Sequence, residues 1–270
     1  MSGDLCKAGK NLWALVNWGW PRLHEVSSDG AILGYWPVGE PPEGDNLVDA
    51  GGLVVMAGEP YFLDKQKGTL LSVDTPLPKH EDMLWPRRRA ITQGLERPVH
   101  VFLAPDNQVG VVDEGGDSLV LWKFTVGRAP ETRLLTKLGR CGILSSIALV
   151  GHSLVAVSHV FMECFELDAR IPRRWETIHD VGIAEPYLVA ESRDRRVFFG
   201  KDEEGQWVFR DNGELVHADS IPTDQHPAGI ALCDKGYAIL RESNDDGSST
   251  LDVLRREGTV ARLSVSVRLE

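Results

Sequence analysis

Four residues at the predicted starts of β-strands have the chemistry to bind a small ligand or a metal ion. Glu96 and His100 lie in the segment LERPVHVF, Glu185 begins EPYLVA, and His226 begins HPAGIA. Histidine and glutamate side chains act as general acids and bases, and carboxylate oxygens also bind calcium. Because only Glu96 and Glu185 supply a carboxylate at this position, a calcium site would lack ligands. The sequence predicts neither a bound metal nor another cofactor.

Three consecutive arginines follow a tryptophan in the segment LWPRRR, within a stretch from 76 to 97 that carries five basic and three acidic residues. Arginine and tryptophan contribute more than most residues to the free energy of protein–protein binding. Two further tryptophans, in the segment NWGWPRL, precede a proline and are expected in a loop. These features predict a surface that docks a protein partner. The candidate contact residues are Trp85, Arg87, Arg88, Arg89, Trp18 and Trp20.

Two short motifs match those of known functional sites, but the residues around them do not fit those sites. Gly116–Leu119 spells GDSL, a serine hydrolase motif whose serine follows a strand and opens a helix, whereas here it stands between two β-runs. Asn244–Gly247 resembles part of a calcium loop, but an EF-hand would need a glutamate where Val253 stands. Hairpin turns explain both motifs, and we predict no catalytic residue.

The charge balance argues against two classes of partner. The 270 residues include 40 acidic and 29 basic side chains, which gives a formal net charge of -11 at pH 7. Such a charge repels nucleic acid and anionic membrane surfaces. The apolar run from 143 to 161 contains two histidines, four serines and a glycine, so a β-hairpin explains it better than a membrane span.

The N-terminus and the cysteines both predict a cytoplasmic protein. The segment MSGDLCKAGKNLW has an acidic residue and no apolar run of the length that a signal peptide needs. The cysteines are too far apart for a metal-binding pair or a dense disulfide framework. They are Cys6, Cys141, Cys164 and Cys233.

Strand signals dominate the chain, and the turns between strands recur with a regular period. Runs rich in Val, Ile, Leu, Phe and Trp end at Gly, Asp, Asn or Pro, and no amphipathic helix is predicted. Measured from Asp106, equivalent turns follow at Gly151, Asp194 and Lys235, in steps of 45, 43 and 41 residues. Repeats of this length with four strands each are typical of β-propeller blades. The chain therefore resembles the broad β-propeller superfamily of NHL, quinoprotein-like and WD40-like proteins.

This resemblance implies an all-β fold, a six-bladed β-propeller with five to seven blades compatible with the repeat, built from four-stranded antiparallel blades. We predict one propeller domain over 1–270 with an inserted arm between blades at about 76–97. The first blade lacks one strand in this prediction, and the tail 265–270 supplies it to close the ring. The predicted blades span 10–38, 46–75, 98–138, 142–180, 183–221 and 226–264.

The sequence supports two functional hypotheses. In the first, the protein is a non-enzymatic interaction or scaffold subunit of a larger complex, and the 76–97 arm with one loop face docks a protein partner. In the alternative, the axial channel holds a small ligand, or a calcium-dependent hydrolytic site of the lactonase-like kind, with Glu96, His100, Glu185 and His226 at its mouth.

Overall fold

A computed structural model describes most of the chain, and all of the regular structure in the described residues is β-strand. The described residues are 4–17, 21–38, 50–73, 88–92, 95–104, 108–113, 118–124, 131–137, 145–150, 153–158, 162–168, 175–177, 181–192, 195–219, 221–222, 225–243 and 248–269. The predicted all-β fold is confirmed for these residues. In the same residues, no helix has the length and apolar character that a membrane crossing requires.

The strands follow one another in groups of four, which we call units 1 to 6. Unit 1 is β1 (Asp4–Ala8), β2 (Asn11–Val16), β3 (Arg22–Ser27) and β4 (Ile32–Pro37). Unit 2 is β5 (Ala50–Met56), β6 (Glu59–Asp64), β7 (Thr69–Val73) and β8 (Arg88–Thr92). Unit 3 is β9 (Pro98–Ala104), β10 (Gln108–Asp113), β11 (Ser118–Phe124) and β12 (Glu131–Lys137).

Units 4 to 6 continue the same pattern. Unit 4 is β13 (Ser146–Val150), β14 (Ser153–Ser158), β15 (Glu163–Asp168) and β16 (Trp175–Thr177). Unit 5 is β17 (Glu185–Ser192), β18 (Arg195–Lys201), β19 (Trp207–Asp211) and β20 (Glu214–Ala218). Unit 6 is β21 (His226–Cys233), β22 (Gly236–Glu242), β23 (Ser249–Glu257) and β24 (Val260–Leu269).

Each unit is an antiparallel meander in which every strand pairs with the next one in the chain. Units 5 and 6 also join into one eight-stranded sheet, because β20 and β24 pair in parallel at His217 with Val260 and at Ala218 with Ala261. The first strands of the units contact one another in the order β1, β5, β9, β13, β17, β21 and back to β1. The first strands therefore form a closed ring, with the later strands of each unit farther out.

A β-bulge recurs in four of the described first strands. One extra residue interrupts the pairing of the first strand with the second, at Gly52 in β5, Val99 in β9, Tyr187 in β17 and Ala228 in β21. A bulge bends its strand and increases the local twist. The repeat therefore includes a bend in the inner strand as well as the turns seen in the sequence.

Apolar side chains fill the spaces between neighbouring units. Buried clusters join units 1 and 2, units 1 and 6, units 2 and 3, units 4 and 5, and units 5 and 6. Both faces of the sheet of unit 2 are packed against other units. The residues of β6 and β7 are therefore buried along almost the whole length of each strand, instead of alternating between buried and exposed. In the cluster between units 5 and 6, Phe209 stacks on Tyr237 with ring centroids 3.8 Å apart.

The predicted construction of the first blade is wrong. Unit 1 begins at Asp4 and has its own four strands, since β1 pairs with β2 along all five of its residues. The C-terminal tail belongs to β24, which pairs with β23 from Val260 to Leu269. The tail therefore completes unit 6 and leaves unit 1 unchanged.

Part of the predicted arm at 76–97 is a strand of unit 2. Residues 88–92 form β8 and pair with β7, with Arg88 opposite Val73 and Arg89 opposite Ser72. Residues 74–87 and 93–94 lie outside the described residues.

A charged network between units 5 and 6 is centred on Asp211, which is 2% exposed. Its carboxylate accepts hydrogen bonds from Arg195 of unit 5 (Nη2, 2.7 Å), and from Arg256 (Nη1, 2.7 Å) and the Tyr237 hydroxyl (2.7 Å) of unit 6. Arg195 also donates to the carbonyl oxygen of Cys233 at 3.0 Å. Burial alone would raise the pKa of Asp211, but the hydrogen bonds from Arg195 and Tyr237 hold this pKa below its ordinary value.

We expect Asp211→Asn to lower the free energy of unfolding by about 2 kcal/mol, because Arg195 and Arg256 lose the buried carboxylate to which both donate. Urea unfolding followed by circular dichroism measures this change. Glu214→Gln is the matched control, since Glu214 pairs with Arg256 while 69% exposed and should contribute less than about 0.5 kcal/mol. Equal small effects of the two substitutions would contradict a central role for Asp211.

Candidate functional site

A cavity of about 520 Å³ lies on the axis of the ring, and all six first strands contribute to its wall. We call it the axial cavity. Apolar residues of β5 and β21 line part of it, and β9, β13 and β17 add polar side chains. Cavities of this size suit small molecules. The polar lining residues that matter for its chemistry are Asp4, Lys7, His100, Ser146, Glu191 and Ser192.

Asp4 contributes a half-buried carboxylate at the start of β1. Its Oδ1 accepts a hydrogen bond from the backbone nitrogen of Leu5 (2.7 Å), and its Oδ2 accepts one from that of Leu53 in β5 (2.8 Å). Burial raises the pKa of Asp4 to about 7, although these two hydrogen bonds and the charge of Lys65 lower it. Asp4 therefore exchanges a proton near neutral pH, which is the range useful for acid–base chemistry.

His100 contributes a neutral imidazole from the middle of β9. Burial lowers the pKa of His100 to about 4, and the positive charge of Lys65 lowers it further, whereas a hydrogen bond with the backbone of Ile147 raises it. The side chain is half-buried in the cavity wall. Because one ring nitrogen bonds the backbone of Ile147, the other can exchange a hydrogen bond with a polar ligand.

Two other lining residues have structural explanations. The Ser146 hydroxyl donates to the carbonyl oxygen of Val189 (3.2 Å) and lies 3.1 Å from its backbone nitrogen, which joins units 4 and 5. Burial and the nearby charge of Asp4 raise the pKa of the Cys6 thiol. Because only a thiolate is a strong nucleophile, Cys6 is unsuited to covalent catalysis.

Of the four predicted channel residues, only His100 lines the axial cavity. Glu96 is exposed, and its backbone nitrogen donates to Asp113 at 3.0 Å. Glu185 is half-buried and accepts a hydrogen bond from the Tyr187 hydroxyl at 3.3 Å. His226 is exposed. Glu185 and His226 begin their strands, whereas the parts of β17 and β21 that line the cavity lie farther along, at 189–192 and 230–232.

The predicted partner-binding residues fall largely outside the described residues. Trp18, Trp20, Trp85 and Arg87 are among the residues not described. Arg88 and Arg89 begin β8, the last strand of the sheet of unit 2. The docking role of these residues stays a prediction.

The described residues include no group of three or more histidine, cysteine, aspartate or glutamate side chains that could hold a metal ion. Ser118 of the GDSL motif begins strand β11, as the hairpin interpretation expects. Asn244–Gly247 lies outside the described residues.

The sequence interpretation missed Asp4 as a site residue. The only signal was the short run DLCKA before the turn at Gly9, which is too short to stand out from a disordered terminus. Its position in the cavity follows from the pairing of β1 with β2, which places β1 innermost in unit 1.

Comparison with known proteins identifies the fold. No protein-family model matches the chain, and no curated protein matches its sequence. A solved protein of unknown function from Bacteroides caccae aligns over 97% of this chain and 94% of its own, with a TM-score of 0.60 and 12% identity. These values show a shared fold.

Two other structural neighbours carry the names of enzymes. A catalytically inactive variant of virginiamycin B lyase from Staphylococcus aureus, solved with quinupristin, covers 88% of this chain and 76% of its own at a TM-score of 0.55 and 12% identity. A putative gluconolactonase covers 85% of this chain and 81% of its own at a TM-score of 0.51 and 11% identity. These likenesses show a β-propeller-like fold, the coarse fold that the repeat predicts.

We expect His100→Gln to reduce the acid sensitivity of the protein. Because the pKa of His100 is about 4 when folded and ordinarily 6.5, the unfolded chain takes up this proton first as the pH falls from 6.5 to 4. The free energy of unfolding therefore falls with decreasing pH in this window, by up to about 1.4 kcal/mol per pH unit from this group. Urea unfolding across the window should show a shallower fall in the variant. His217→Gln, at an exposed position, is the control, and parallel curves for His100→Gln and the parent would contradict the expected burial of His100.

Proposed function

We propose that the protein is a six-bladed β-propeller, folded as a single domain over 1–270, that binds a small polar molecule in its axial cavity. Asp4 and His100 are the residues that recognise this molecule. The observation that carries the proposal is the convergence of all six first strands on one cavity that holds both an ionisable carboxyl and a neutral imidazole.

The strand arrangement supports the blade count. Six groups of four antiparallel strands follow one another in the described residues, and their first strands contact one another in a closed cycle. A ring of blades around an axis has this connectivity. The buried clusters between neighbouring units are the interfaces expected between blades.

The protonation states support acid–base chemistry in the cavity. Asp4 has a pKa of about 7 and His100 a pKa of about 4, so the two groups differ in proton affinity at neutral pH. Pairs of titratable groups whose environments separate their pKa values are typical of acid and base assignments. The positive charge of Lys65 lowers both pKa values, which indicates that it lies near Asp4 and near His100. The enzyme names of two structural neighbours also favour a chemical role over a purely structural one.

A ligand panel tests this proposal. Hydroxy acids, lactones, sugars and amino acids are screened by thermal denaturation and by saturation-transfer nuclear magnetic resonance. We expect a member of the panel to raise the melting temperature in proportion to its concentration, because a ligand that binds only the folded state stabilises it by mass action. His100→Gln should weaken the binding of that member at least about tenfold.

His217→Gln is the matched control and should leave the affinity unchanged, because His217 is an exposed residue of the outer strand β20. Asp4→Asn serves as a second variant, with folding checked by circular dichroism because Asp4 also joins β1 to β5. A panel without a binder, or a binder whose affinity survives both cavity substitutions, would contradict the axial site.

A second candidate function is docking of a protein partner, so that the chain is a subunit of a larger complex. The position of Arg88 and Arg89 favours it, because they begin the outermost strand of unit 2 and follow directly after the segment that holds Trp85 and Arg87. A strand at the edge of a sheet has backbone groups that can pair with another chain.

We expect replacement of Trp85 and Arg87 to Arg89 by alanine to abolish co-purification of a stoichiometric partner while the melting temperature changes little. Affinity capture from the native host with mass spectrometry measures this. Replacement of Arg255 and Arg262, which lie on the outer strands of unit 6, is the control for a general loss of positive charge. An unchanged set of captured proteins would exclude docking through this segment.

A further inference from the structure

Lys65 is not one of the lining residues of the axial cavity, but its charge lies close to two residues that are. It follows β6, and its side chain runs back across Gly51 of β5. A Cβ atom at Gly51 would lie 2.1 Å from Cε of Lys65 and 2.5 Å from its Nζ. The ammonium group therefore lies across the inner strand of unit 2 only because Gly51 has no side chain.

The charge of Lys65 acts on both recognition residues of the axial cavity. Burial raises the pKa of Asp4 to about 7 against the opposing charge of Lys65. Burial lowers the pKa of His100 to about 4, and the same charge lowers it further. Asp4 also accepts a hydrogen bond from the backbone nitrogen of Leu53, two residues beyond Gly51 in β5, at 2.8 Å. A carboxyl, an ammonium and an imidazole group from three neighbouring units thus lie close together.

The charges of these three groups favour an anionic ligand. His100 is neutral at neutral pH, and Asp4 is about half protonated at pH 7 and mostly protonated at about pH 6. Lys65 keeps its positive charge over this range. As the pH falls below 7, the group of three therefore approaches one net positive charge. Such a charge attracts an anion and repels a cation.

The other ionisable groups near Asp4 and in the cavity wall do not reverse this charge. Lys7 pairs with Asp234, and Glu191 lies directly opposite Arg196 in the pairing of β17 with β18. Each of these lining residues therefore has an opposite charge beside it. Cys6 is neutral, because burial and the charge of Asp4 raise the pKa of its thiol.

We propose that the ligand of the axial cavity carries a carboxylate that binds to the protonated side chain of Asp4, and that Lys65 is the positioning residue that makes this site selective for an anion. The inference rests on the function proposed above and names its class of ligand. An oxygen of the ligand carboxylate accepts the hydrogen bond from the Asp4 hydroxyl, so anion and proton bind together. The His100 nitrogen that does not bond Ile147 exchanges a hydrogen bond with a hydroxyl group of the same ligand.

The position of Lys65 is tested without a ligand. The protein is labelled with ¹³C in its aspartate carboxyl groups and titrated by nuclear magnetic resonance, and Asp4→Asn identifies the Asp4 signal. We expect Lys65→Met to move the Asp4 midpoint to higher pH, because the carboxylate loses a nearby cation. Gly51→Ala should move it in the same direction, because the added Cβ displaces the flexible end of Lys65. Lys67→Met, at an exposed position of the same turn, is the matched control. An Asp4 midpoint that stays unchanged in both Lys65→Met and Gly51→Ala would overturn the role of Lys65.

Isothermal titration with lactate and its uncharged counterpart lactamide tests the class of ligand. At about pH 6 we expect saturable binding of lactate and at least about tenfold weaker binding of lactamide, which has nearly the same shape without the charge. The affinity for lactate should fall by up to about tenfold per pH unit above about pH 7, because one proton binds with each anion. Lys65→Met should weaken lactate at least about tenfold at about pH 6, where Asp4 is protonated in both proteins, whereas Lys67→Met should not.

The outcomes distinguish this inference from the function on which it rests. A neutral member of the ligand panel that binds in the axial cavity, together with no saturable heat from lactate, would leave the axial site in place and overturn the carboxylate. Equal affinities for lactate and lactamide, or a lactate affinity that does not change between about pH 6 and about pH 8, would also overturn it. A panel in which no member binds would contradict the axial site and this inference together.

Discussion

The close approach of the six first strands around one axis is the constraint on which the rest of the fold depends. A Cβ atom at Gly229 would lie 2.5 Å from the backbone nitrogen of Leu5, and one at Gly52 would lie 2.9 Å from that of Val101. Side chains therefore cannot be accommodated at these two positions without movement of backbone. Gly52 also has a φ of +64°, which only glycine adopts easily, and it is the bulged residue of β5. The bulges bend the inner strands and so allow neighbouring backbones to meet at the axis.

This crowding also creates the chemistry of the axial cavity. Polar groups on the first strands bind the backbone of the next unit: Asp4 accepts from Leu53, and Ser146 exchanges hydrogen bonds with Val189. The same burial that holds the ring together shifts the proton affinities of Asp4 and His100 in opposite directions. The outer strands have no such constraint, and they vary from three residues in β16 to ten in β24.

The sequence was informative about features that repeat and uninformative about features that occur once. Hairpin turns and apolar runs follow local rules, so units 3 to 6 begin and end within a few residues of their predicted limits. Strand β1 was missed because it is short, has one buried residue and stands at the terminus. Periodicity gives the face of a residue but not its depth along an axis, so the sequence pointed to strand starts such as Glu185, whereas β17 lines the cavity at 189–192. The bulges at Val99 and Tyr187 have no glycine to reveal them.

The two ends of the chain meet without exchanging a strand. Unit 1 consists of N-terminal residues and unit 6 of C-terminal residues, and among the described strands no backbone pairing joins them. Side-chain packing and the ion pair of Lys7 with Asp234 hold this seam, whereas β20 and β24 join units 5 and 6 by backbone hydrogen bonds. Contacts across the seam close a loop of nearly the whole chain, so their loop-closure entropy cost is larger than that of contacts between consecutive units. Opening of the ring at the seam would uncover the apolar faces on which units 1 and 6 pack.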